Sequence, residues 1–129
     1  MTKPMKTIAV LTLLLAGFSA GAITAALRQW GSPAVSVEVT NHSGQSIRST
    51  TIRSSTCGFS STILGGELAV NQSKTVRVFV CGEGAYSIEV ELSDGRRITN
   101  RGQYIESGYM NRAVVGPHGI RSTQTIYNF

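Results

Sequence analysis

Apolar and polar positions divide the chain into one long unbroken apolar run and a series of short alternating runs. The unbroken run is Thr7 to Leu27, which holds no charged residue. As a helix rising 1.5 Å per residue it reaches roughly 31 Å, the thickness of a bilayer's hydrocarbon core. After Leu27 the pattern changes to period two. Val35, Val37 and Val39 alternate with Ser36, Glu38 and Thr40, the signature of a half-buried strand. Asn41 to Gly44 is a turn. Ser46 to Ser54 is a polar strand in which Ile47 and Ile52 differ in parity, so a bulge or an edge position is expected. Alternation restarts with Cys57, Phe59, Ser61 and Ile63.

Gly65-Gly66 breaks the chain, and Glu67 to Ser73 connects, with Leu68 and Val70 placed to plug an end of the core. Thr75 to Cys81 puts Val76, Val78 and Val80 on one face. Ala85 to Leu92 puts Tyr86, Ile88, Val90 and Leu92 inward and Ser87, Glu89 and Glu91 outward. The two runs read as an antiparallel hairpin across Gly82 to Gly84. Asp94-Gly95 is a further hairpin turn, leading to a polar strand from Arg96 to Gln103 that carries Ile98. A strand then runs through Val115, Gly116 to Gly119 interrupts, and Ile120 to Tyr127 closes the pattern, ending in Phe129.

No segment after Leu27 has helical periodicity. Seven or eight short strands at even spacing predict an all-β fold, a small antiparallel β-sandwich preceded by one N-terminal transmembrane or signal helix. The architecture resembles the immunoglobulin-like sandwiches common in cell envelopes, although no Trp stands between the cysteines and their spacing is short for an intersheet bridge. The expected organisation is a signal-anchor over 1–28, a linker over 29–34 and an exported domain over 35–129. Trp30, just past the apolar run, suits a membrane interface or packs on the domain.

Charge fixes the orientation expected of the apolar run. Lys3 and Lys6 precede it and Arg28 follows, which places the N-terminus in the cytoplasm and the rest outside it. Two fates are open. The helix stays as an inner-membrane anchor, or cleavage after Ala22, at the Ala20-Gly21-Ala22 site, frees a periplasmic or secreted domain. Gly17 and Gly21, with Ala25 one step on, have the small-residue spacing that permits a weak helix-mediated dimer.

Of the twelve Lys and Arg, Lys3 and Lys6 lie before the apolar run; ten remain against seven Asp and Glu, so the exported part is near +3. That excess is too small to indicate nucleic acid. Cys57 and Cys81 are the two cysteines, and in an oxidising compartment they are expected to form a disulfide. His42 and His118 have no ligand-like spacing to them, so no metal or other cofactor is expected. A final Tyr127 and Phe129 superficially match outer-membrane barrel strands, but the polar runs lack the outward apolar face.

Catalytic signatures such as G-x-S-x-G and H-E-x-x-H are absent from the sequence. The expectation is a non-catalytic, envelope-anchored binding or structural module. A secreted inhibitor or immunity-type protein and a small hydrolase are the alternatives. The candidate interaction surface is Arg96, Arg97, Arg101, Tyr104 and Tyr109, close in sequence to Glu106 and Arg112. Arginine and tyrosine are frequent anchors of protein contacts. Alternation puts Arg97 and Arg101 on one side and Arg96 on the other unless it belongs to the turn. Anionic lipid or an acidic envelope partner would suit such an edge.

Overall fold

The computed structural model of the protein describes residues 3–27 and 34–126. The expectations for Arg28, Trp30, the linker from 29 to 33, Tyr127 and Phe129 lie outside the described residues. One helix, α1 (Lys3–Leu27), precedes eight strands: β1 (Ala34–Asn41), β2 (Ile47–Thr56), β3 (Phe59–Leu64), β4 (Ser73–Phe79), β5 (Glu83–Leu92), β6 (Arg97–Glu106), β7 (Tyr109–Val115) and β8 (Ile120–Ile126).

The helix is apolar enough over Lys6–Leu27 to be a membrane span or a signal sequence. Three of its hydroxyls donate to the carbonyl four residues back: Thr12 to Ile8 at 2.9 Å, Ser19 to Leu15 at 2.8 Å and Thr24 to Ala20 at 2.9 Å. No polar side chain among these three therefore needs water, which suits a hydrocarbon surrounding. A Cβ added at Gly17 or Gly21 would meet nothing within 4 Å.

The strands form two four-stranded sheets packed as a sandwich, ordered β4-β1-β7-β8 and β3-β2-β5-β6. The alternating valines of β1 and β4 and the Tyr86, Ile88, Val90, Leu92 series of β5 point into one core with Ile47, Ile52, Ile105, Ala113 and Val115. The parity conflict between Ile47 and Ile52 is resolved by a shift of register between Ile47 and Ser49, which lets both be fully buried.

Several local expectations are corrected. The runs ending at Cys81 and beginning at Ala85 do not form a hairpin. β4 pairs with β1 in the first sheet, while β5 pairs with β2 and β6 in the second. Both runs bury one apolar face, and alternation alone does not say which sheet each face lines. The pair β1–β7 is parallel, the other five pairs being antiparallel. Leu68 does plug the core, through a bridge to Ile47, but Val70 is exposed. Cys57 starts no strand: Cys57 and Gly58 are the two residues of the β2–β3 loop, with φ of 49° and 74°. Positive φ at both positions is the type I′ arrangement whose twist suits a two-residue hairpin.

The disulfide joins Cys57 to Cys81, with Cα atoms 5.9 Å apart. It ties the β2–β3 turn to the point where the chain leaves β4 for the other sheet. This is also the end of the sandwich at which β1 begins, since Ala34 pairs with Phe79. The opposite, distal end carries the Asn41–Gln45 loop, the Asp94-Gly95 turn and the loop from Gly116 to Gly119. Asn41 is buried there with its amide fully used. Its Nδ2 donates to the carbonyls of Gln45 and Leu68, and its Oδ1 accepts from the Ser43 backbone and hydroxyl.

Candidate functional site

The outer face of the second sheet is built from the polar positions of β2, β3, β5 and β6. β6 alternates regularly from Arg97, with Ile98 and Asn100 inward, until Arg101. There the register with β5 shifts: Tyr86 pairs with Gln103 and Ile88 with Asn100, so Arg101 and Gly102 together oppose Ser87. Gly102 takes φ +68° in this bulge, a conformation that side chains with a Cβ rarely adopt. The bulge reverses parity. Gln103 turns inward beside Tyr86, and Tyr104 turns outward beside Ala85, onto the face that holds Arg97.

The five residues of the expected surface do not form one patch. Arg96 belongs to the distal turn, where its Nε donates to Asp94 Oδ2 at 2.8 Å and its backbone N–H to Asp94 Oδ1 at 2.9 Å. These bonds, with one from Gln45 Nε2, hold the Asp94 carboxyl at about 2, well below its usual range; the backbone bond from Arg96 is the largest cause. Arg97 pairs with Glu91 at 3.2 Å. Arg112 pairs with Glu38 at 3.5 Å on the other sheet. Glu106 neutralises none of these arginines. It accepts from Tyr104 Oη at 2.7 Å, and Glu83 accepts from the same hydroxyl at 3.1 Å. The Glu106 hydrogen bond, more than any other cause, pushes the Tyr104 phenol well above its ordinary range. Tyr109 lies half-buried at the start of β7, in the first sheet.

Arg101 differs from its neighbours: it is exposed and makes no ion pair among the described residues. It flanks a shallow depression of about 360 Å³ on the outer face. Across from it stands Arg53, held only loosely to Glu89 at 4.0 Å. Ser87 on β5 stands between the two arginines, and Ser55 on β2 with Ser60 and Thr62 on β3 line the depression on the Arg53 side. The sequence reading missed this hydroxyl-rich floor. Its signal was the polar character of Ile47–Thr56 and Phe59–Leu64, whose outward positions are almost all Ser, Thr or Arg.

His42 and His118 line one hollow of about 560 Å³ at the distal end with Pro117, Ile120 and Arg121. No carboxylate lines it. Two imidazoles and a guanidinium without an acid provide no orienting partner for a histidine base. Among the described residues no group of three or more His, Cys, Asp or Glu could hold a metal ion.

A further polar cluster lies inside, along the seam where β6 meets β8. Asn100 Nδ2 donates to the Ile120 carbonyl at 3.0 Å and to Ser122 Oγ at 3.1 Å, and Gln103 Nε2 donates to Asn100 Oδ1 at 2.9 Å. Burial pushes the Tyr86 phenol up; the nearby Ser122 hydroxyl pulls weakly the other way, without reaching hydrogen-bond geometry.

No protein-family model matches the chain, and no curated protein matches it. Solved structures do. A protein from Eubacterium rectale, determined by NMR, aligns with a TM-score of 0.53 at 11% identity, covering 74% of this chain and 91% of that one. A putative cell adhesion protein from Bacteroides ovatus aligns with a TM-score of 0.45 at 12% identity, covering 72% of this chain and 43% of that one. At these identities the likeness concerns the fold.

Proposed function

We propose that this protein is a non-catalytic module displayed at the outer side of a membrane by α1, and that it meets an acidic group of an envelope partner through the depression between Arg53 and Arg101. The observation that carries the reading is the unpaired guanidinium of Arg101 beside a hydroxyl-rich sheet face. Arginine in such a setting offers a planar fork of donors to a carboxylate, and the hydroxyls complete the contact.

The geometry favours a protein partner over lipid. The chain passes from α1 into the sandwich at Ala34, whereas Arg96 and Arg97 sit at the other end of strands roughly 25 Å long. A lipid-binding surface would concentrate its cations at the end where β1 begins, whereas Glu83 and Glu106 lie at that end along with Arg77.

The test compares wild type with Arg101→Glu and with the loosely paired Arg53→Glu. Photo-crosslinking from Ser87 in intact cells should yield a discrete adduct with wild type. Arg101→Glu should reduce its yield by at least about fivefold, the effect of roughly 1 kcal/mol. An undiminished adduct refutes the role of Arg101. Salt-sensitive binding of the protein's outer domain to anionic vesicles would refute the choice of partner.

A further inference from the structure

The β6–β8 seam contains two buried polar groups that no described residue satisfies. Tyr86 and Asn111 are each only 2% exposed, yet Tyr86 Oη and Asn111 Nδ2 have no hydrogen-bond partner among the described residues. Leaving such a group unpaired costs about 1–3 kcal/mol, so each one calls for a physical explanation. The contrast with Asn41 is direct: that buried amide is paired through both its oxygen and its nitrogen. Both orphan atoms belong to side chains lining one cavity of about 200 Å³.

We propose that this cavity is a binding site for a neutral, hydroxyl-bearing small molecule, a sugar by chemical class. Its lining decides the charge. Gln103 and Tyr104 from β6 and Ser122 and Gln124 from β8 join Tyr86 and Asn111, and no ionisable acid or base other than the two phenols is present. An ion would lose its hydration with only neutral dipoles in return. Hydrogen-bond polarity decides the functional group. Asn111 Nδ2 can only donate, whereas a phenol donates or accepts. Gln103 spends its Nε2 on Asn100 Oδ1 and the Arg101 carbonyl, which leaves its Oε1 as an acceptor. A hydroxyl group can answer a donor and an acceptor at once.

Size and shape agree. The cavity corresponds to the liquid volume of about seven waters, the scale of one sugar ring. Tyr104 borders the cavity from β6, with its hydroxyl turned to Glu83 and Glu106 on the outer face. The seam is pinned on its distal side by the Asn100 bonds to Ile120 and Ser122, so the cavity lies in its other half. The bulge at Arg101-Gly102 builds the site. Without it, alternation from Asn100 would turn Gln103 away from the interior. Bulges are enriched beside functional sites for this reason, since they re-aim a side chain.

The test is a titration of the full chain in detergent micelles, followed by NMR on the Asn111 side-chain amide and the Gly102 backbone amide. N-acetylglucosamine and glucose are the neutral probes, and glucuronate is the charged one. At least one neutral sugar should give saturable shifts at both signals. Gln124→Ala, at an exposed position of β8 that leaves the core intact, should weaken that binding by at least about fivefold. Absence of saturation with both neutral sugars up to about 50 mM overturns the proposal and leaves the cavity to water. Equal or tighter binding of glucuronate, or an unaltered affinity in Gln124→Ala, overturns it as well. Arg101 lies outside the cavity lining, so this outcome is independent of the partner contact proposed above.

Discussion

At the residue scale, the sandwich separates neighbours on β5 into opposite energetic classes. Ile88 is fully buried at the centre of the second sheet, between Ile52 and Asn100 in register. Truncating it removes buried methyl groups and leaves a cavity, so Ile88→Ala is expected to cost about 2–5 kcal/mol. Glu89 faces outward, and its contact with Arg53 is long. Glu89→Ala should therefore shift stability by no more than about 0.5 kcal/mol. Urea denaturation of the two variants measures both, and equal losses would contradict the observed register. A second residue-scale expectation concerns acid. The Asp94 carboxyl titrates at about 2 when folded, against an ordinary 3.8. Its folded value is depressed, so its contribution is complete above the ordinary value and is lost as pH falls from there through about 2. Asp94→Asn should flatten the acid side of the stability profile between those values and leave the profile near neutrality with the same slope. Following the melting temperature of both proteins from neutral pH to about pH 2 checks it.

At the element scale, the disulfide is placed to hold the crossing between sheets. Cys57 and Cys81 are 24 residues apart and join the β2–β3 turn to the exit of β4. Closing a loop of this length restricts the unfolded chain, and reduction should cost about 2–4 kcal/mol. Thiol labelling of the denatured, unreduced protein should find no free cysteine; two labelled cysteines would mean the bridge does not form. The same region marks the border of what the sequence discloses. Strand positions and inward faces were legible from alternation because a half-buried strand must alternate. Even the irregularity at Ile47 was legible, since two buried isoleucines of opposite parity demand a bulge. Strand partnership was not. The valines of β4 and the aliphatic series of β5 satisfy a hairpin and a sheet-to-sheet crossing equally well. The three-residue Gly82-Glu83-Gly84 segment looks like a hairpin turn in either case. The bulge at Arg101-Gly102 was hidden for a similar reason. In the polar run from Thr99 to Gln103 no misplaced apolar side chain betrays a change of face, so the inward turn of Gln103 and the outward turn of Tyr104 emerge only from pairing with β5. The candidate arginines were legible as residues but not as a site. Their neutralisation by Asp94 and Glu91 depends on hairpin register, which leaves Arg101 as the exposed cation of β6 without an ion pair among the described residues.

At the scale of the whole molecule, one physical question orders the rest: on which side of a membrane the sandwich stands, and whether α1 remains attached. The described helix runs without interruption to Leu27, past the Ala20-Gly21-Ala22 site, and the hydroxyls of Thr12, Ser19 and Thr24 are satisfied within the helix. A segment of that length satisfies every backbone group internally and needs no water across a bilayer. With Lys3 and Lys6 at its start, the expected orientation puts the N-terminus in the cytoplasm. The disulfide agrees with that expected orientation, because disulfides persist in oxidising compartments. The expected outcome is a full-length protein in the membrane fraction. Its mature mass should include Met1 to Ala22, less 2 Da or so for the two hydrogens lost in the bridge. A reporter fused after Phe129 and active only when exported should be active. The two measurements divide the alternatives cleanly. A mass lacking the first 22 residues with an active reporter means a released domain, for which the Arg101 contact must find its partner in solution. Reporter activity in the cytoplasm would reverse the topology altogether. The disulfide would then be exposed to reducing conditions, and the sandwich would have to stand on its packed core alone.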